Sequence, residues 1–398
     1  MGRILPFLIV LLAVAFFTKV DFFFYLLYTL FGTYVLSRFW AQRSLRAVTV
    51  ERHHDHRVFL GQTLEVHVWV QNRGWLPVLW MRLSDTVPSD LAGGPAFRRV
   101  ISLLPRERQD YGYALTGRRR GYYPLGPLVG FGGDLLGTAT YESHQAGDDF
   151  VIVYPKIIAL NELGFPSQSP FGNLPHRERL FEDPSRIRGV RDYQPGDSLR
   201  RMDWKTSARV GSLQVRRFEP AIALETGIFL NLDLEDYPLD RRYEAPELGI
   251  IVAASVAVHL VEKRQAVSLV TNGQDPLSAL AGAIPTVPLR KGREHLMHVL
   301  DLLARIEVAR REEDTVPFQQ VLSQRSLGLS WGSTVLVVTP TEEEGLLDTL
   351  LSLRRRGLVI TLVLTCPYRG FDGTVQRAGQ IGIQALQILG ERDLDVWR

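Results

Sequence analysis

Two apolar runs at the start of the chain constrain its architecture more than any other feature. The first run covers residues 4–17 and the second covers residues 22–36, with Lys19 and Asp21 between them. Together they exceed the roughly 20 residues that a helix needs to cross a bilayer. Because a lysine and an aspartate are costly at the centre of a bilayer, the pattern favours a hairpin of two short transmembrane helices that bends at these residues. The alternative is one long tilted helix with a polar defect.

Arginines on both sides of these runs predict how the hairpin is oriented. Arg3 precedes the first run, while Arg38 and Arg43 follow the second. Basic residues collect on the cytoplasmic side of a membrane, so both ends of the hairpin are expected in the cytoplasm. We therefore predict a bacterial inner-membrane protein that contacts the bilayer through residues 4–36 and holds residues 41–398 in the cytoplasm. No small-x-small cleavage site follows the first run, which argues against a cleaved signal peptide.

From about residue 46 the apolar residues alternate with polar ones, which is typical of strands. LEVHVWV (64–70) alternates, and VLWMRL (78–83) follows it after a turn. Further candidate strands cover residues 47–52, 97–103, 110–116 and 151–155. Gly, Pro, Asn and Asp separate these segments at intervals of about ten residues, the spacing expected of an antiparallel sandwich. Residues 41–160 are therefore predicted to form a β-rich, immunoglobulin-like domain.

The last part of the chain, residues 221–398, alternates apolar strands with helices. The candidate strands are residues 225–234, 266–272, 333–340, 358–366 and 381–389, and the candidate helices are residues 245–264, 293–308 and 342–357. Continuous runs of Val, Ile and Leu between helices predict a mostly parallel open sheet that is covered on both faces. Ligands of such sheets bind at the carboxyl ends of the strands. The apolar core of residues 245–264 is too short and too closely flanked by charge for a third span, so we expect a buried core helix.

Between these two parts lies a connecting segment, residues 161–220, that ends in a stretch dense in charged and aromatic residues. Residues 161–188 lack a clear period and are expected to form a long connection. PGD (195–197) predicts a turn in which Asp197 caps a helix over residues 198–210. The candidate site residues of this segment are Arg191, Tyr193, Asp197, Arg200, Asp203, Trp204 and Arg209. They fit a salt-bridged clamp between domains or an exposed platform that binds a partner.

Composition argues against several functional classes. The 46 basic and 43 acidic residues leave a net charge of only +3, and acids are interspersed with the arginines, so no nucleic-acid partner is expected. The single cysteine, Cys366, excludes internal disulfides and cysteine-based metal centres. The sequence has neither a Walker A loop nor a Rossmann fingerprint. We therefore predict no catalytic residue and no enzymatic activity.

Three stretches carry a resemblance to a known family. RRRGYYPLGP (118–127), VIVYP (151–155) and residues 189–233, which include GVRDYQPGDSLRRMDWKTSAR, resemble sequences of the domain of unknown function 58 family. The resemblance extends over nearly the whole chain. It implies a membrane hairpin, a β-domain and an α/β domain similar to the von Willebrand factor type A domain. It also implies a partner of the MoxR-type AAA ATPase class and a role in the assembly or maturation of envelope or enzyme complexes.

The resemblance further implies a metal site at the end of the first strand of the α/β domain. Type A domains hold a divalent ion through an Asp-x-Ser-x-Ser motif, with a Thr and an Asp from later loops. Asp233 matches the first position, but Glu235 and Tyr237 replace both serines. Asp233, Glu235 and Asp236 are candidate ligands for a divalent cation in a different arrangement. The alternative is that these acids cap the next helix or pair with the arginine-rich segment 189–219, and we expect no obligatory cofactor.

Together these patterns predict an α+β multidomain protein. Its parts are an N-terminal transmembrane hairpin (residues 1–40), an antiparallel β-sandwich-like domain and an open, Rossmann-like α/β sheet of the von Willebrand factor type A kind. The predicted function is that of a non-catalytic interaction module that binds a protein partner. One rival prediction is a metal-dependent hydrolase that uses the Asp233 cluster, and another is a purely structural scaffold.

Overall fold

A computed structural model shows a protein of mixed α and β structure, as the sequence predicts. The residues it describes are 4–91, 97–134, 140–145, 149–160, 182–194, 197, 202–220, 225–278, 283–310 and 316–397. The chain divides into two compact units, Met1–Lys156 and Ile157–Arg398. The predicted candidate residue Arg200 lies outside the described residues, as do residues 161–181 of the predicted connection.

The first unit begins with two apolar helices that pack against each other. Helix α1 covers Ile4–Thr18 and helix α2 covers Asp21–Leu45. Leu8 and Leu11 of α1 form an apolar cluster with Leu27 of α2, so the two helices form a hairpin. The second helix continues past residue 40, where the sequence places the end of the membrane segment, and ends five residues later.

Two helices among the described residues are long and apolar enough to cross a membrane, but their surroundings differ. Helix α2 passes this test with only 6% of its most apolar stretch buried, and α1 is a shorter apolar helix beside it. Residues 244–262 pass the same test with 78% buried, which is the behaviour of a core helix. The prediction that the segment around residues 245–264 is a buried helix rather than a third span is therefore confirmed.

Among the described residues of the first unit, ten strands follow α2. They are β1 (Val48–His54), β2 (Arg57–Phe59), β3 (Thr63–Asn72), β4 (Val78–Asp85), β5 (Arg98–Leu103), β6 (Arg108–Thr116), β7 (Gly121–Leu125), β8 (Leu128–Gly133), β9 (Thr140–Gln145) and β10 (Asp149–Tyr154). They form three sheets with the orders β1-β3-β6, β2-β10-β7 and β5-β4-β8-β9. All described pairings are antiparallel except that of β2 with β10.

Two of these sheets share one apolar core. Val68 and Val70 of β3 belong to the same buried cluster as Met81 and Leu83 of β4. The alternation along β3 explains this packing, because every second side chain points to the inner face of its sheet. Burial of inner faces from two sheets against each other is the arrangement of a β-sandwich.

The second unit starts with a two-stranded hairpin. Strand β11 covers Glu182–Asp192 and pairs antiparallel with β12, Gln214–Pro220. Helix α3, Trp204–Val210, lies in the connection between them. One prediction differs from the structure, because β11 begins inside the predicted connection. Helix α3 lies within the predicted helix 198–210, of which residues 198–201 lie outside the described residues.

The rest of this unit is an open sheet of six strands with helices between them. The strands are β13 (Glu225–Leu230), β14 (Ala266–Thr271), β15 (Thr286–Arg290), β16 (Thr334–Thr339), β17 (Val359–Leu364) and β18 (Gln384–Gln387). The helices are α4 (Glu244–Glu262), α5 (Arg293–Arg305), α6 (Phe318–Arg325), α7 (Leu346–Arg355) and α8 (Phe371–Gln380). The strand order is β15-β14-β13-β16-β17-β18, and all pairs are parallel except the edge pair β14 and β15.

This order places β13 at the centre of the sheet, where the chain reverses the direction in which it adds strands. Strands β14 and β16 are buried along their whole lengths, as expected of parallel strands with helices on both faces. In sheets of this order, ligands bind beyond the carboxyl ends of the strands on either side of the reversal. The carboxyl ends of β13, β14 and β16 are therefore the first place to look for a functional site.

Candidate functional site

The carboxyl ends of the three central strands hold a buried cluster of polar side chains. Asn231 follows β13 directly and is fully buried. Its amide nitrogen donates to a carboxylate oxygen of Asp236 at 2.8 Å and to Thr339 Oγ1 at 3.2 Å. Its side-chain oxygen accepts from Asn272 Nδ2 at 3.0 Å and from the backbone N–H of Asp233 at 3.1 Å. We call these five residues the tip cluster, because they join the ends of three strands through one asparagine.

Asn272 of the tip cluster and the neighbouring Tyr237 also hydrogen-bond the backbone around the cluster. The backbone N–H of Leu232 donates to Asn272 Oδ1 at 2.7 Å, and the Tyr237 hydroxyl donates to the backbone carbonyl of Asn231 at 2.6 Å. Burial raises the pKa of Tyr237 well above its usual range, so this hydroxyl keeps the proton that it donates. Cys366 packs against Tyr237, and burial raises the pKa of its thiol to about 11. The thiol is therefore a neutral core group at physiological pH.

The three acids predicted as metal ligands have separate roles in the structure. Asp233 is buried, and its carboxylate accepts from the backbone N–H of Glu235 at 3.0 Å, which caps a short 3₁₀ turn. Glu235 is exposed and binds Arg242 at 3.1 Å, whereas Asp236 accepts from Asn231. The sequence left open a role in capping the next helix or in pairing with the arginine-rich segment 189–219, but the acids cap a 3₁₀ turn and pair with Arg242, which lies outside that segment. Among the described residues, no group of three or more His, Cys, Asp or Glu side chains is arranged to hold a metal ion.

The loops beside the tip cluster expose large apolar side chains. Leu239 and Tyr243, in the loop between β13 and α4, are 79% and 87% exposed. Leu277, in the loop after β14, is also exposed. We call these three residues the strand-tip surface, since their loops leave adjacent parallel strands at the same edge of the sheet. Neighbouring exposed apolar side chains often mark a surface that contacts another molecule.

The β11–β12 hairpin orders part of the predicted signature segment. Arg191 binds Asp197 through two nitrogens, each 2.6 Å from a carboxylate oxygen. The same carboxylate accepts from the backbone N–H of Gln194 at 2.9 Å. Asp197 therefore closes the turn after β11, and the residues that it was predicted to cap, 198–201, lie outside the described residues.

Asp203 is the residue that caps α3. Its carboxylate accepts from the backbone N–H of Thr206 at 3.0 Å and from Arg216 Nε at 3.1 Å. The Thr206 and Arg216 donors lower the pKa of Asp203 below its usual value. The Ser207 hydroxyl continues this local network, because it accepts from the backbone N–H of Gln214 at 2.8 Å. These bonds fix α3 on β12.

The remaining predicted residues of this segment differ in exposure. Trp204 is the first residue of α3 and is exposed, as is Arg209 in its last turn. Tyr193 is half-buried, and its backbone N–H donates to the carbonyl of Leu213 at 2.8 Å. The predicted clamp residues therefore form bonds inside the hairpin, while Trp204 faces solvent.

Sequence reasoning found the acids of the strand tip but missed the asparagines that organise it. Asn231 and Asn272 each stand directly after a continuous apolar strand, where a buried amide can satisfy backbone groups released by the sheet. A polar residue at that position in two adjacent strands is the signal that could have identified them. The exposed Leu239 and Tyr243 carry no such signal, because isolated apolar residues in loops are common.

Comparison with known proteins gives one family and several uncharacterised relatives. Residues 189–367 match the family described as "Protein of unknown function DUF58". "Uncharacterized protein YeaD" of Bacillus subtilis is 26% identical over 275 residues, which cover 65% of this chain and 63% of that protein. "Uncharacterized protein Rv1480" of Mycobacterium tuberculosis is 30% identical over 115 residues, which cover 28% of this chain and 33% of that protein. The matched region is thus less than two thirds of the length of either relative.

Among solved structures, similarity is confined to small parts of the chain. The CARDB domain of the PF1109 protein of Pyrococcus furiosus, solved in complex with di-metal ions, is 20% identical. The match covers 27% of this chain and 91% of that domain with a TM-score of 0.20. A similarity of this size carries no argument about function.

Proposed function

The chain belongs to the DUF58 family, and we propose that it is a membrane-anchored interaction protein without catalytic activity of its own. The observation that carries this proposal is the strand-tip surface. Leu239 and Tyr243 are presented to solvent at the edge of the sheet where α/β proteins bind ligands, on loops fixed by Asn231 and Tyr237. Rigid loops with exposed aromatic and aliphatic side chains suit the binding of another protein.

The fold of the partner-binding unit is, in this proposal, that of a von Willebrand factor type A-like domain. The strand order and the antiparallel edge strand β15 support it, together with Asp233 directly beyond the central strand. The departures from the type A motif fit a docking role. Asp233 and Asp236 already accept hydrogen bonds inside the protein, from Glu235 N–H and from Asn231.

The anchor in this proposal is the α1–α2 hairpin, inserted in the inner membrane of a bacterium. Support comes from the apolar composition of both helices and from the exposure of α2 along its apolar stretch. Arg38 and Arg43 favour a cytoplasmic end for α2 under the positive-inside rule. The soluble parts of the chain would then face the cytoplasm, next to soluble ATPases.

The partner in this proposal is a MoxR-type AAA ATPase, acting in the assembly or maturation of envelope or enzyme complexes. The support for this class of partner is the family resemblance. The strand-tip surface is the part of the chain at which binding of such a partner can be tested by substitution. Hydrophobic contacts centred on a few side chains commonly carry most of the affinity of a protein interface.

Affinity purification of the tagged full-length chain from solubilised membranes tests this proposal. The variant Leu239→Ser/Tyr243→Ser removes two exposed apolar groups from the strand-tip surface. We expect recovery of the AAA ATPase to fall about tenfold or more, since truncated interface anchors cost on the order of 2 kcal/mol. Leu327→Ser is the control, because Leu327 is also largely exposed, at 68%, but lies in the segment that enters β16, at the amino end of the strands.

Three results would contradict the proposal. Purifications that never recover an AAA ATPase would remove the assigned partner. A turnover of the purified chain that needs a divalent cation and disappears in Asp233→Ala would establish the rival hydrolase. Equal loss of the ATPase in the control variant would show that the strand-tip surface is not the binding site.

A further inference from the structure

A second surface, in the first unit, joins the membrane hairpin to the β-strands. The turn between β3 and β4 is held rigidly by Asn72, which is fully buried. Its amide nitrogen donates to the carbonyls of Leu76 and Leu104 at 2.9 and 3.1 Å, and its oxygen accepts from the backbone N–H of Gly74 at 2.9 Å. One asparagine therefore fixes two neighbouring turns, β3–β4 and β5–β6. The side chain of Trp75, between Gly74 and Leu76, remains 67% exposed.

The β3–β4 turn is attached to the end of α2. Ser37, Ala41, Ser44 and Leu45 are buried, and their spacing of three and four residues places them on one face of the helix. Leu45 belongs to the core cluster of the β-strands. Trp40 Nε1 donates to the carbonyl of Pro77 at 3.0 Å, and the backbone N–H of Arg73 donates to the carbonyl of Ala47 at 2.8 Å. The turn thus lies at the level of residues 37–47 of the helix.

The length of α2 indicates where its residues 37–47 lie relative to the bilayer. A helix rises about 1.5 Å per residue, and the hydrocarbon core of a bilayer is about 30 Å thick. Starting at Asp21, the helix needs roughly 20 residues to cross that core, which brings it to Trp40. The same residue that bonds to the β3–β4 turn is therefore the residue at which α2 leaves the hydrocarbon.

The surface at this level is apolar and basic. Trp75, Leu79 and Leu104 are all exposed. Segments 36–47 and 73–83 contain five arginines and no acidic residue: Arg38, Arg43, Arg46, Arg73 and Arg82. Two acids lie beside these segments, because Glu51 is 3.9 Å from Arg73 and Glu107 accepts from the backbone N–H of Leu104, so basic residues still outnumber acidic ones. Tryptophan and arginine together are the side chains favoured at the headgroup layer, and each basic residue near an anionic leaflet contributes about 1 kcal/mol.

We propose that the β3–β4 turn is a second membrane contact, which inserts Trp75 and Leu79 among anionic headgroups of the bilayer that holds the hairpin. This inference rests on the proposed membrane anchor. The occupant of this surface is lipid, because the turn is hydrogen-bonded to the end of the spanning helix and carries charge opposite to that of anionic headgroups. Its consequence is that the first unit has a fixed orientation on the membrane, set by α2 and by the turn.

Site-specific lipid quenching tests the proposal on the full-length chain. The only cysteine, Cys366, is buried, so an introduced cysteine can be labelled with an environment-sensitive fluorophore. The labelled variants are Trp75→Cys, Thr63→Cys and Tyr28→Cys, each reconstituted in vesicles of phosphatidylcholine and phosphatidylglycerol with spin-labelled lipid. Thr63 is exposed at the other end of β3, about 30 Å away by strand rise, and serves as the matched control.

The expected result is a blue-shifted emission at position 75 that spin-labelled lipid quenches, with no quenching at position 63. The quenching should weaken in high salt and in pure phosphatidylcholine, because screening removes the attraction of the arginines. Quenching at position 28 but not at position 75 would overturn the second contact and leave the anchor intact. Absence of quenching at both positions would overturn the anchor and, with it, this inference. A blue shift at position 75 without lipid quenching would mean that a protein covers the turn, and would also overturn it.

Discussion

The buried polar cluster around Arg52 in the first unit and the tip cluster of the second unit are built from different kinds of side chain. In the first unit the cluster is ionic: Arg52 of β1 binds Asp85 at the end of β4, and their side chains are 3% and 0% exposed. In the second unit the tip cluster is built on neutral amides, with Asn231 and Asn272 at its centre. Both clusters hold strands from different parts of the chain together. The ionic one closes a sandwich core, whereas the amide one lies at the edge where ligands bind.

The ionic cluster has a partner for each of its charges. Arg52 reaches two oxygens of Asp85, at 2.5 and 3.1 Å, and a carboxylate oxygen of Asp149 at 2.9 Å. The Tyr113 hydroxyl donates to Asp85 at 2.6 Å. Four strands of the first unit are thereby joined through one guanidinium and two carboxylates. In the first cluster, charged side chains join strands of the first unit to one another. In the tip cluster, amide side chains hydrogen-bond the backbone of the loop that follows β13.

The largest predicted effect follows from removing one buried charge. Asp85→Ala leaves the Arg52 guanidinium buried with only the partly exposed Asp149 as a charged partner. Breaking a buried pair in this way costs about 3–5 kcal/mol. We expect urea unfolding of the detergent-solubilised chain to show this loss in the first unit, measured by pulse proteolysis.

A matched control for this experiment is the exposed pair of Arg73 and Glu51, whose charged atoms are 3.9 Å apart. Glu51→Ala should change stability by less than about 1 kcal/mol, because exposed pairs contribute little. Equal losses in Asp85→Ala and Glu51→Ala would contradict the distinction between a buried ionic cluster and a surface pair.

The second effect tests the amide cluster. Asn231→Ala removes the partner of Asn272 Nδ2, of Asp236 and of the Asp233 N–H at once. Leaving buried polar groups without partners costs about 1–3 kcal/mol. The reactivity of Cys366 in urea measures this loss, because the buried thiol becomes available for labelling only when the second unit opens.

Asn231→Asp sharpens the same comparison. It places a third carboxylate beside Asp233 and Asp236, which would turn the neutral centre of the tip cluster into an anionic one. We expect this variant to be less stable than the wild type and to recover stability when millimolar Mg²⁺ is added, since oxygen ligands suit that ion. A wild type that gains as much stability from Mg²⁺ as the variant would instead support a native cation site.

The third effect isolates one hydroxyl of the ionic cluster. Tyr113→Phe removes the hydrogen bond to Asp85 and leaves the ring in the core. Because Arg52 still pairs with the carboxylate, we expect a loss of about 1–2 kcal/mol, smaller than that of Asp85→Ala. Burial, followed by the Asp85 charge, raises the pKa of Tyr113, so the hydroxyl is a donor throughout the accessible pH range. Tyr111→Phe, on the same strand but bonded to Gln109, is the matched control.

The strands that a period-two pattern predicts are those with one buried and one exposed face. Strand β3 alternates along its length and was predictable, as was β4, the next strand in the chain. Strands β7 and β8 were missed, because GYYPL and LVGFGG are rich in residues that disfavour strands, and pairing with β10 and β4 decides their structure. Strand β15 was missed for a related reason: it contains Pro288, which a strand at a sheet edge tolerates.

The candidate site was predictable only where the signal is local. Asp233 follows a recognisable strand, so its place at the sheet edge could be predicted. The bond between Asn231 and Asn272 joins residues 41 positions apart and has no local signature. Asp197 and Asp203 are both good helix caps by sequence, so the local pattern cannot distinguish their roles. In the structure Asp203 caps α3, and Asp197 binds Arg191 in the turn after β11.

The smallest effect concerns an ion pair beside the tip cluster, and it is read from the pH dependence of stability. Asp275, in the loop after β14, binds Arg305 of α5 through two bonds of 2.8 and 2.9 Å. Burial alone would raise the pKa of Asp275, but the Arg305 and Leu277 donors outweigh it, so the pKa is lowered. A carboxylate whose pKa is lower in the folded state stabilises the protein above its unfolded pKa of about 3.9, and this contribution is lost as the pH falls through the folded value. Asp275→Asn should therefore lose about 1 kcal/mol at pH 7 and show a flatter decline in stability below about pH 4 than the wild type. Parallel declines in the two proteins, followed by circular dichroism in urea, would mean that this pair contributes nothing to holding the β14 loop against α5.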